Sequence, residues 1–193
     1  MTALPLLTAL LLTQSVPSDS LPFHGGEWAA QFAGGTSFAS LGFLKFGSPT
    51  KALVLDVRVT GGHGEDITTD STGTHFSGLG SNANVGLRFG WRRYHPAGPK
   101  VATYHSLGLL GGFTHSVTAA PGYRSVANGW NAGVFGDFGG SYFLTPRFSV
   151  GATIGAEIRY SDTYARDSQG SKRRAWDLGG SAPGVAFVAA LYF

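Results

Sequence analysis

From Phe148 to Ser161 the chain alternates without a break. Phe148, Val150, Ala152, Ile154, Ala156, Ile158 and Tyr160 occupy one phase, and Ser149, Gly151, Thr153, Gly155, Glu157, Arg159 and Ser161 the other. Successive side chains of a strand point to opposite faces, so this segment predicts a strand with one apolar and one small, polar or charged face. It is also long. A membrane-crossing strand takes about 9–11 residues, whereas a strand in a water-soluble domain averages about 5–6.

The period of two recurs along the chain. Trp130, Ala132, Val134, Gly136, Phe138, Gly140 and Tyr142 oppose Asn131, Gly133, Phe135, Asp137, Gly139 and Ser141. Ala83, Val85, Leu87, Phe89 and Trp91 oppose Asn84, Gly86, Arg88, Gly90 and Arg92. Leu53, Leu55, Val57 and Val59 oppose Asp56, Arg58 and Thr60, and Leu107, Leu109, Gly111 and Phe113 oppose Ser106, Gly108, Leu110 and Gly112. Near the start, Trp28, Ala30 and Phe32 form one phase of a strand, and Gly42, Leu44 and Phe46 are read as the apolar phase of the next, against Leu41, Phe43 and Lys45. The final strand sets Val185, Phe187, Ala189, Leu191 and Phe193 against Ala186, Val188, Ala190 and Tyr192.

The connections are of two kinds. Ser48 to Lys51, His95 to Lys100 and Thr145 to Arg147 are short and contain Pro. Gly61 to Asn82, Thr118 to Gly129 and Asp162 to Ala175 are polar and read as long loops, while the link around Gly34 to Ser37 is short. Eight strands with tight turns at one end and loops at the other predict an all-β fold, an eight-stranded antiparallel up-and-down transmembrane β-barrel.

Charge decides which face is outside. Lys45, Asp56, Arg58, Arg88, Arg92, Asp137, Glu157 and Arg159 all fall in the phase read as polar. Facing lipid at mid-membrane, each cation would cost about 2–4 kcal/mol. Facing inward, they can form a lumen network of ion pairs, and an eight-stranded barrel is just wide enough for side chains to fill it. Trp28, Phe46, Trp91, Tyr142, Phe148 and Phe193 are read as an aromatic girdle at the tight-turn end, with Trp130 and Tyr160 as the opposite girdle.

Composition fits such a chain. Of 193 residues, 42% are hydrophobic and only 13% charged, against roughly 25% charged in a water-soluble domain. Thirty glycines disfavour long helices. With no Cys there is no disulfide framework, no thiolate nucleophile and no Cys-based zinc site. The net charge of +3 is clustered, at Lys172, Arg173 and Arg174, and lacks the broad basic face expected of a nucleic-acid binder. Leu4 to Leu12 is almost wholly apolar and too short to span a bilayer. With Thr13-Gln14-Ser15 behind it, it reads as the core of a signal peptide over residues 1–15, although no Lys or Arg precedes it. Residues 16–26 are then an N-terminal periplasmic segment and residues 27–193 the barrel.

The C-terminal VAFVAALYF, with Val185, Phe187, Ala189, Leu191 and Phe193 in one phase, looks like the signal read by the barrel-assembly machinery. With the strand count, it resembles the small outer-membrane barrels of the outer-membrane-protein-A, outer-membrane-protein-X and opacity type, over the whole chain after the signal peptide. The resemblance implies residence in the cell outer membrane, lipid and lipopolysaccharide as surroundings, a monomer, and no cofactor. The function it implies is a structural or surface scaffold presenting extracellular loops, for adhesion or lipopolysaccharide contact. A narrow pore for ions or small solutes is the alternative.

Other chemistry is thinly supported. His63, Glu65, Asp66, Asp70 and His75 could hold a divalent cation, but their spacing matches no known metal loop, so no metal site is assigned. Lys172, Arg173 and Arg174 could meet lipid phosphates or an acidic surface. Some small outer-membrane barrels deacylate lipid A with a His and a Ser two residues apart. His115 and Ser116 are adjacent and so point to opposite faces, which counts against an enzyme. No G-x-S-x-G, phosphate-binding loop or dinucleotide fingerprint occurs.

Overall fold

The computed structural model describes residues 21–36, 38–69 and 75–193. The signal-peptide reading of residues 1–15 lies outside them. Among the described residues the chain forms β1 (Trp28–Gly34), β2 (Ala39–Ser48), β3 (Lys51–Thr69), β4 (His75–Gly98), β5 (Val101–Ala120), β6 (Tyr123–Thr145), β7 (Phe148–Asp167) and β8 (Lys172–Tyr192). Each strand pairs antiparallel with its neighbours in sequence, and β1 pairs with β8 to close the ring. At the seam Trp28 and Phe193 exchange both backbone hydrogen bonds, at 2.8 Å each. Closure leaves no edge within the paired ring, the condition under which β-structure crosses a bilayer.

Local sequence makes the turns. β2–β3, β4–β5 and β6–β7 are joined by Pro49-Thr50, Pro99-Lys100 and Pro146-Arg147, each directly after a strand. Pro fixes φ and has no N–H to donate, which suits the first corner of a turn. The register shifts just before each of these turns. At the other end, Pro121-Gly122 joins β5 to β6, with Gly122 at φ +74°, the left-handed corner that a Pro-Gly type II turn requires.

The segments read as long polar loops are mostly strand. β3 and β4 run on in register to Thr69 and His75, β5 and β6 to Ala120 and Tyr123, and β7 and β8 almost to Asp167 and Lys172. Alternation vanishes where both faces meet water, yet the hydrogen-bond ladder continues, so hydropathy marks the membrane crossing and not the strand. β1 and β2 have only 7 and 10 residues, against 19 to 24 for β3 to β8. Six strands therefore stand above a low wall on the β1–β2 side. In β8 the register slips between Ser181 and Gly184, so Pro183 sits in a bulge, where a missing N–H is tolerated.

The outer surface is apolar. Phe32, Leu55, Phe89, Leu107, Leu109, Phe138, Ile158 and Phe187 are all exposed, while Asp56, Arg88, Arg92 and Glu157 are buried. A water-soluble barrel has the opposite arrangement. Tyr142 and Trp130 face outward on β6 about 30 Å apart in height, taking ~3.3 Å per residue and a tilt of ~40°. That spans the lipid-facing band.

Candidate functional site: a plugged, arginine-lined lumen

The lumen has two layers. The lower one is aromatic. Phe46, Tyr94, Tyr104, Phe143 and Tyr192 project inward near the tight-turn ends of five strands, and Phe23 enters from the N-terminal segment to sit among them, fully buried. Its ring lies 4.3 Å from Phe46, 5.0 Å from Tyr94, 5.5 Å from Tyr192 and 5.8 Å from Phe143, centroid to centroid. Leu21 is buried beside it. The described part of the N-terminal segment thus plugs this end of the barrel through Leu21 and Phe23. Gly139 makes room, since a Cβ there would fall 2.5 Å from Tyr104 Cζ.

Arg92 lies directly above this plug. Its guanidinium sits 4.0 Å over the Tyr104 ring and donates to Gln31 Oε1 at 2.5 Å, Ser106 Oγ at 2.9 Å and Tyr94 Oη at 3.4 Å. No carboxylate lies within ion-pair distance among the described residues. The expectation that Arg92 joins an ion pair is therefore corrected. Neutral acceptors and ring faces hold it.

The upper layer is ionic. Arg88 Nη2 lies 2.7 Å from Asp137 Oδ1 and 2.8 Å from Oδ2, its Nη1 lies 3.7 Å from Asp56, and its guanidinium packs 3.7 Å over Phe135. Glu157 receives Arg58 Nη1 at 2.9 Å and Arg159 Nη2, and Arg88 Nε lies 3.8 Å from it. Gly155 leaves the space the Asp137 carboxylate fills, because a Cβ would collide with Oδ1. A cavity of about 270 Å³ remains within this layer. Side-chain exposure rises from 9% at Arg88 to 23% at Arg58 and 34% at Arg159, so water enters from the loop end.

Two placements differ from expectation, both on β2. Lys45 is outside the lumen: it faces out, 4.6 Å from the Trp28 ring, and donates to Gly26 O at 2.7 Å. Phe46 is not in the girdle but in the plug, 1% exposed. Leu41 to Leu44 is apolar without a break, so period alone cannot phase this strand. A cation near the interface can keep its head polar while its stem lies along apolar surface. Trp28, Trp91, Tyr142 and Phe193 are exposed outward, and Phe148 is half-exposed in the same phase. Sequence reasoning missed Phe23, Tyr94, Tyr104, Phe143 and Tyr192. The available signal was an aromatic in the polar phase close to a Pro turn or the last strand's end.

On the outer rim, Arg174 bonds Asp162 at 3.0 and 2.5 Å, and this bond holds the Asp162 carboxyl below the usual carboxylate range. Lys172 and Arg173 are exposed beside it. Val185, Phe187, Leu191 and Phe193 face outward along β8. His115 Nδ1 meets Asn128 Oδ1 at 2.8 Å. Asp70 and the side chains of Asp66 and His75 lie outside what the structure describes. Among the described residues no group of three or more His, Cys, Asp or Glu side chains converges.

An apolar exterior, a charged interior and a closed eight-stranded ring define a small outer-membrane β-barrel. The chain is similar to a major outer membrane protein of Thermus thermophilus, at 14% identity over 86% of this chain and 98% of that one, with a TM-score of 0.56. It is also similar to the outer membrane protein OprG of Pseudomonas aeruginosa, at 11% identity over 90% and 99%, with a TM-score of 0.57. At such identities the likeness is one of fold. No protein-family profile and no curated protein matches the chain in sequence.

Proposed function

We propose that the protein is a structural and surface scaffold of the outer membrane, holding three long hairpins outside the lipid. The observation that carries this reading is the plug. Phe23 and five inward aromatics pack together at the end that Arg92 roofs, which favours a closed lumen over a pore. The hairpins β3–β4, β5–β6 and β7–β8 continue well past the outer aromatics, which suits presentation of a surface. Lys172, Arg173 and Arg174 at the last hairpin would meet phosphates of the surrounding lipid or lipopolysaccharide. Insertion would follow recognition of the β8 apolar phase, Val185 to Phe193, by the barrel-assembly machinery, and the barrel would act as a monomer. Lipid-modifying catalysis is not part of the reading, because His115 and Ser116 point to opposite faces.

Planar-bilayer recording of the purified barrel tests it. The expected trace stays at baseline across both polarities. Discrete conductance steps would overturn the scaffold and establish the narrow pore, with Phe23 as its stopper.

A further inference from the structure

Three arginines share one carboxylate. Arg58 and Arg159 both bond Glu157, and Arg88 lies against it while also serving Asp137 and Asp56. Each of the three has a buried Nε–H with no hydrogen-bond partner among the described residues, and all three line the same cavity. A guanidinium has five donors and no acceptor, so Glu157 cannot satisfy all three. Asp56 also lines that cavity, and its buried Oδ1 lacks a partner.

We propose that this cup binds a small oxyanion from the external medium, a phosphate or carboxylate group held by Arg58, Arg88 and Arg159. Guanidinium groups suit such ligands because their planar donor set matches paired oxygens. Asn84, Asn131 and Thr153 add neutral polar groups to the wall. Hydrogenphosphate fits best, since its P–OH can donate to Asp56 whereas a carboxylate only accepts. The ligand enters past Arg159, the most exposed of the three, and stops above the aromatic plug. Binding in a closed cup is independent of the scaffold reading and survives a flat conductance trace.

The test follows arginine Nε–H resonances of the folded protein in detergent micelles. Sodium phosphate is titrated against sodium chloride of equal ionic strength, then sodium succinate. Saturable shifts at Arg58, Arg88 and Arg159 are expected with phosphate, at least threefold tighter than with succinate. Tighter succinate binding supports the cup and makes the carboxylate its ligand. Arg159→Gln should weaken binding at least tenfold. This residue is partly exposed at the mouth, and a heat-dependent mobility shift checks that the variant folds. Glu157→Gln removes the competing carboxylate and should tighten phosphate binding at least fivefold. Replacing Lys172, Arg173 and Arg174 by Gln should change nothing. Non-saturating shifts that chloride reproduces, or an affinity indifferent to Arg159→Gln or lost with the outer triple variant, would overturn the proposal.

Discussion

Arg88 Nη2 sits between the two oxygens of Asp137, at 2.7 and 2.8 Å, inside the barrel wall. Both side chains are more than nine-tenths buried, so each depends on the other for much of its hydrogen bonding. A buried pair is weak evidence for stability as a whole, but removing one member leaves the other charge stranded, at about 3–5 kcal/mol. Arg88→Leu should therefore lower unfolding stability by about 3–5 kcal/mol, because it strands Asp137 and Asp56 together. Arg88→Leu with Asp137→Leu should cost less than the single change. Urea unfolding in lipid vesicles, followed by heat-dependent mobility, measures both.

Gly155 carries the same relationship on the neighbouring strand. An added Cβ meets the Asp137 carboxylate, which is anchored to Arg88 and cannot swing away without losing it. Gly155→Ala should destabilise by about 1–3 kcal/mol, the usual cost of overpacking a filled interior. Gly136→Ala, where the nearest atom to a new Cβ is Ser106 O at 3.9 Å, should be near neutral. Equal losses in the two variants would show that strand propensity and not the Asp137 contact sets the cost.

The membrane crossing was legible because lipid outside and charge inside impose opposite demands on alternate residues. Val150 to Arg159 carries that imprint at every position. Two parts were hidden for physical reasons. Beyond the lipid both faces of β3 and β4 meet water, so His63 and Ser81 pair across the ladder with no hydropathy signal. In β2 four consecutive apolar residues, Leu41 to Leu44, suit either phase, and only pairing with β1 and β3 decides that Leu44 points inward. Of the eight residues expected in the ionic layer, Lys45 faces out and Arg92 is held by neutral acceptors, and alternation alone does not say which arginine meets which carboxylate. Glu157 lies two positions from Arg159 in sequence and ninety-nine from Arg58, and the ring closure brings both to it.

Phe23 reaches the lumen from outside the strand set, and its removal leaves a void that neighbouring rings cannot close. Phe23→Ala should cost about 3–5 kcal/mol by the usual penalty for truncating a buried Phe. It should also admit water to Arg92. A Cys placed at Ser106, which bonds Arg92, gives the readout: a charged thiol reagent added from the tight-turn side should label it in the Phe23→Ala background and not with Phe23 intact. Equal protection in both would mean that Tyr94 and Tyr104 close the barrel without help.

The lipid face makes a depth-dependent prediction. Leu109 on β5 and Trp176 on β8 are similarly exposed, at 64% and 73%, but at different heights. Leu109 pairs with Phe89 and Val134 in the middle of the apolar band, whereas Trp176 pairs with Asp162 at the outer rim. A guanidinium at mid-membrane has no polar group within reach, while one at the rim can turn to water and lipid phosphates. Leu109→Arg should therefore cost about 2–4 kcal/mol in vesicles and Trp176→Arg about 0–1 kcal/mol. In a detergent micelle, which deforms around a charge, the gap between them should narrow. If the two substitutions cost the same in vesicles, the band from Tyr142 to Trp130 is not the lipid-facing span.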